Sequence, residues 1–138
     1  MIEIKMKEII GHELRLMREG KKPLSMFYYI ESVGDKDLIP IDNFQPYVDE
    51  GSILMEEFTL LNPKHPRFSV TYIFYSLPEE AWRIPALKTA LVAQQDNIQR
   101  PDEGIDRIIG LLLGYSKEEI DKWVRKGLNS ATSPNHNL

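Results

Sequence analysis

Arg67 to Leu77 reads as a β-strand, and aromatic residues point to both of its faces. Phe68, Val70, Tyr72 and Phe74 share one face, while Ser69, Thr71, Ile73 and Tyr75 share the other. If helices cover one side of a sheet built on this strand, the other aromatic face is left partly open. Met26-Phe27-Tyr28-Tyr29-Ile30, in a strand that starts at Leu24, raises the same demand. Ile53 to Leu61 reads as a further strand, joined to Arg67–Leu77 by the hairpin loop Asn62-Pro63-Lys64-His65-Pro66. Gly34-Asp35-Lys36-Asp37 and Asp49-Glu50-Gly51-Ser52 are turns. Between them, residues 38 to 48 contain Pro40 and Pro46, which lack amide donors, so this segment reads as an edge strand or irregular.

Helical patterns flank this β-rich middle. Ile2, Met6, Ile9, Ile10, Leu14 and Met17 follow the spacing of one buried helical stripe, which Gly20 ends. Ser76-Leu77-Pro78-Glu79 is a capping box opening a helix with Ala81, Trp82, Leu87, Leu91 and Val92, and Pro85 should kink or split it. After a break from Gln94 to Pro101, Asp102 caps a helix through Ile105, Ile108, Ile109 and Leu112 that stops at Gly114. Ser116-Lys117-Glu118-Glu119 opens a last short helix with Ile120, Trp123 and Val124 inward and Gly127 as its stop. The expected fold is α+β: a leading helix, an antiparallel sheet of three or four strands, then three C-terminal helices packed on one sheet face. Residues 1–128 are expected to form one domain. Residues 129–138, nearly free of apolar side chains, are expected to be a disordered tail.

The chemistry that the 138 residues exclude is as informative. Cysteine is absent, which removes disulfides, thiolate metal sites and a thiol nucleophile together, and suits a cytoplasmic setting. No apolar run reaches the roughly 20 residues of a membrane span, and Met1-Ile2-Glu3-Ile4-Lys5 lacks the features of a signal peptide. His12, His65 and His136 have no metal-ligand spacing, so no metal is expected. Gly104, Gly110 and Gly114 build neither a P-loop nor a dinucleotide fingerprint, and no cofactor is expected. Ser52 follows Gly51 but lacks the second glycine of a nucleophile elbow. Adjacent Glu56 and Glu57 point to opposite faces of a strand and form no acid/base dyad. Glu79-Glu80, Asp102-Glu103 and Glu118-Glu119 sit in first helical turns, where negative charge complements the helix dipole. An enzyme reading would need a site assembled across the sheet, with Tyr72, Glu57 and His12 as its groups.

Charge is unevenly spread. Residues 31 to 57 hold eight carboxylates (Glu31, Asp35, Asp37, Asp42, Asp49, Glu50, Glu56 and Glu57) against Lys36, a balance of -7, so a chain of net charge -4 is +3 elsewhere. An acidic surface of this kind attracts a basic partner and orients it. The plainer role of these carboxylates is to keep turns and an edge strand soluble. The expected function is a non-enzymatic protein-interaction module of inhibitor, immunity or adaptor type. Its expected binding residues are Asp35, Asp37, Asp42, Asp49 and Glu50, with Lys64 and His65 at the hairpin tip.

Residues 105–126 resemble the bacterial helix-turn-helix pattern. Gly110 lies four before the turn glycine Gly114, Leu113 and Tyr115 flank the turn, Ile120 lies six beyond it and Trp123 three further on. The resemblance implies a DNA-binding regulator with Ser116, Lys117, Glu118, Asp121 and Lys122 facing the major groove, but Glu118 and Asp121 would then meet phosphates, which disfavours nucleic acid. Structural packing accounts for the same residues. The Leu113-Gly114-Tyr115-Ser116 turn is also similar to that of a ubiquitin-associated domain, although the third helix of such a domain is missing after Gly127. Ile108, Ile109, Leu111, Leu112 and Leu113 ring their helix, so it is either central to the fold or meets another chain. A homodimer through Ile108, Ile109 and Leu112, or through the aromatic sheet face, follows as a hypothesis.

Overall fold

The computed structural model describes residues 11–96 and 102–130, the side chains of 126–130 excepted. In chain order the elements are α1 (Glu13–Arg18), β1 (Leu24–Ile30), α2 (Ile41–Asp49), β2 (Leu54–Leu60), β3 (Val70–Ser76), α3 (Arg83–Asp96), α4 (Glu103–Leu112) and α5 (Lys117–Ser130). Short 3-10 turns at Glu31–Val33, Lys36–Leu38, Pro66–Phe68 and Pro78–Glu80 join them. The class is α+β, with a three-stranded antiparallel sheet in the order β1-β3-β2.

The two-faced strand is the central one. Continuous register sets Met26 and Glu56 on either side of Phe74, and Phe27 and Glu57 on either side of Ile73. Leu24 and Phe74, with Met26, Phe58 and Tyr72, pack under α3, α4 and α5 against Leu87, Leu91, Ile109 and Leu112. Tyr29, Ile73 and Tyr75 face the other way and pack with Met17 of α1 and Phe44 of α2. Cover on this second face differs from the expectation of a partly open aromatic surface. It comes from residues 38 to 48, which form a helix rather than an edge strand. Ile41, Phe44, Tyr47 and Val48 lie at helical spacing and turn inward, and that burial outweighs the two prolines. Pro40 stands at the N-cap, where no helical amide is needed. Pro46 lies on the exposed side, where water can solvate the carbonyl it leaves unbonded.

Gly51 ends α2 with φ +83°, its N–H bonding Val48 O at 3.1 Å while Ser52 N–H bonds Tyr47 O at 3.0 Å. Asp102 caps α4 through Gly104 N and Ile105 N, as its position implies. Ser116 Oγ accepts from Glu119 N at the start of α5. Pro85 falls in the first turn of α3, where it costs no hydrogen bond, and the segment before it is split off as the 78–80 turn. Gly127 does not stop α5, which continues to Ser130. The break expected from Gln94 to Pro101 does not begin at Gln94, because α3 runs to Asp96. Residues 97–101 of that break, residues 2–10 of the expected leading helix and residues 131–138 of the expected 129–138 tail lie outside the described residues.

The α4–α5 turn is anchored from two directions. Lys22 Nζ donates to Leu113 O at 2.7 Å, and Arg83 Nη1 donates to Leu111 O and Leu112 O at 3.1 and 3.2 Å. Both cations therefore complement the carbonyl end of α4. Burial pushes the Lys22 ammonium down to about 8, Arg83 adding to the shift and Glu13 opposing it. Between about 8 and 10.5 the unfolded chain holds a proton that the folded chain has released, so stability should rise with pH in this window. The gain is on the order of 2 kcal/mol by about pH 10, where ionising tyrosines begin to oppose it. Urea unfolding across that window should show the rise in the parent protein and a flat line for Lys22→Met.

Candidate interaction surface

The outward side of α2 is acidic because its inward side is not. Phe44 is 1% exposed, stacking on Tyr75 with centroids 4.0 Å apart and meeting Phe27 edge-on at 5.8 Å. This packing fixes the helix's rotation, so Asp42, Gln45, Pro46 and Asp49 form the exposed stripe. Gln45 Nε2 donates to Asp49 Oδ1 at 2.8 Å, and Ser52 Oγ donates to Glu50 Oε2 at 2.8 Å. Both acceptors remain exposed. At about 1.5 Å per residue, carboxylates from Asp42 to Asp49 span roughly 10 Å of helix.

Glu57 joins the same layer. Its partner in register, Ile73, belongs to the α1/α2 side of the sheet, and β2 is left uncovered there, with Met55, Glu57 and Thr59 exposed. Burial first and the Glu57 charge second hold the Tyr75 hydroxyl above the usual phenol range, consistent with that placement. Glu56 faces the opposite side and is ion-paired with Lys88 of α3.

The remaining expected residues divide. Asp37 is exposed in the 3-10 turn before α2. Asp35 is half-buried, and its Oδ1 accepts from Ile30 N at 3.1 Å, so its carboxylate closes the turn after β1. Lys64 and His65 are exposed on the hairpin tip, where Asn62 Oδ1 accepts from both of their amides. The tip lies beyond Leu60 at the opposite end of β2 from Asp49 and Glu50, about 20 Å away along a seven-residue strand. It is a separate feature from the acidic stripe.

Two other expectations meet the geometry directly. Tyr72 faces the C-terminal helices while Glu57 lies exposed on the other side of the sheet, and His12 is exposed at the start of α1. The sheet itself separates Tyr72 from Glu57, so these three groups are not assembled into a catalytic site. In the α4–α5 pair, a Cβ on Gly110 would stand 2.8 Å from Ile120 Cγ1, the close crossing that a small residue permits. Asp121, one of the groove-facing candidates, is ion-paired across the two helices with Arg107 at 2.5 Å. Of the residues considered for self-association, Ile109 and Leu112 are buried in the core, so a docked face cannot be built on them. Ile108 is exposed, as is Leu111.

Sequence reasoning missed α2 itself and the uncovered side of β2. The signal for the first was present as Ile41, Phe44, Tyr47 and Val48, outvoted by the prolines. Among the described residues no cluster of three or more His, Cys, Asp or Glu side chains is arranged to hold a metal, and no helix is long and apolar enough to cross a membrane. Compared with protein-family models, curated proteins and solved structures, the chain matches none.

Proposed function

We propose that this chain is a non-enzymatic protein-interaction module that presents the acidic outer side of α2 to a basic protein surface. The observation that carries this reading is the stripe of Asp42 and Asp49, continued by Glu50, held outward by Phe44 packing on Tyr75. Glu57 extends the negative potential onto the neighbouring strand. Such a surface steers an oppositely charged partner and fixes its orientation, and its attraction is screened by salt. Inhibitors, immunity proteins and adaptors use surfaces of this type.

Calorimetric titration with a lysine-rich peptide, and with a glutamate-rich peptide of equal length, tests the reading. Binding should be confined to the lysine-rich peptide and weaken by about tenfold or more between low and physiological salt. Equal binding of both peptides, or of neither, would remove the acidic surface from the account. A homodimer through exposed Ile108 and Leu111 is the second reading, favoured by their 49% and 57% exposure on one side of α4. Native mass in the absence of peptide separates the two.

A further inference from the structure

We infer that the outer edge of β2 receives an extended basic segment of the partner, which adds to the sheet as a fourth strand. This rests on the interaction-module reading and specifies how the partner is held. β3 is paired on both sides, and among the described residues no strand pairs with the outer edge of β2. All seven β2 residues pair with β3 in unbroken register, so this edge has neither a bulge nor a proline to blunt it. Its backbone donors and acceptors therefore form a regular template for strand addition.

The side chains select the occupant. On the α2 side an incoming strand would lie beside exposed Met55, Glu57 and Thr59, next to the end of α2 that carries Asp49 and Glu50. Among the described residues no cation pairs with Glu57, so a lysine or arginine set opposite it gains an unopposed partner. On the other side, Lys88 already neutralises Glu56, leaving Leu54, Phe58 and Leu60 to favour apolar side chains. The matching segment alternates basic and apolar residues. A second copy fits less well, because two-fold pairing centred on the middle of β2 sets glutamates of the two copies against each other.

The test uses the full chain and two peptides of identical composition. One alternates lysine and valine and carries a proline at each end, and the other exchanges those two prolines with two of its central valines. Backbone amide exchange over Leu54–Leu60 is followed by NMR during titration. The alternating peptide should bind, slow exchange at alternate β2 amides by about tenfold or more, and bind at least about tenfold more tightly than the proline-containing peptide. Glu57→Lys should remove most of that preference. Equal binding of both peptides without new protection in β2 would overturn strand addition while leaving the acidic surface as a docking site. Failure of both peptides to bind would overturn both. Protection of these amides in a peptide-free dimer would make a second copy the occupant and overturn the proposal.

Discussion

Gly114→Ala should destabilise the protein by about 3 kcal/mol, among the largest costs available from a single added methyl group. Two independent effects combine at this position. The residue has φ +89°, where a Cβ costs roughly 1 to 2 kcal/mol. The added carbon would also stand 2.5 Å from Pro23 Cδ and 2.9 Å from Pro23 Cγ, so the α4–α5 turn and the entry to β1 must move apart. That movement strains the Lys22 bond to Leu113 O. Gly51→Ala is the comparison: its φ is +83° but no atom lies within 4 Å of an added Cβ. It should cost about 1 kcal/mol. Urea midpoints for both variants, and for Gly114→Ala combined with Pro23→Ala, measure the difference. Equal losses at the two glycines, or no recovery in the combined variant, would show that the Pro23 contact is not limiting.

Phe44→Ala is expected to cost about 4 kcal/mol, a large part of the 5 to 15 kcal/mol that holds a typical domain together. Phe44 is fully enclosed, stacked on Tyr75 and edge-on to Phe27. The loss should be local as well as global, because Phe44 is the only fully buried side chain that α2 contributes. Amide exchange in α2 should accelerate more than in α3 or β3, and affinity for a lysine-rich peptide should fall although no charge has changed. Phe44→Leu, which keeps most of the apolar volume, should retain binding. Uniform acceleration of exchange would argue that α2 is no separate unit.

The sequence made the architecture legible wherever one periodicity dominated. Arg67 to Leu77 and Ile53 to Leu61 both appear as strands, shortened by one to three residues at their ends. Asp102 and Ser116 act as caps, as their positions imply. Ser76 does not, because it is buried as the last residue of β3 and the turn at Pro78–Glu80 has no side-chain cap. The helix α2 is hidden in the sequence of residues 38 to 48 because Pro46 is costly in an average helix and tolerable in this one, where its side faces water. Which side faces water is a tertiary fact. The same limit applies to the surface. The excess of carboxylates between 31 and 57 can be counted in the chain, but their roles are set by neighbours distant in sequence. Lys88 takes Glu56, Ile30 takes Asp35, and the absence of helix cover over part of β2 leaves Glu57 free to extend the acidic layer. Only the arrangement of layers distinguishes a carboxylate that closes a turn from one that can meet a partner.

On the proposed function, position, and not total charge, makes the outer side of α2 the binding surface. Titrating one lysine-rich peptide into Asp42→Lys/Asp49→Lys and into Glu79→Lys/Glu118→Lys, two variants with the same change in net charge, tests it most directly. The first variant should lose about tenfold or more in affinity and the second less than about twofold. Equal losses in the two variants would contradict it.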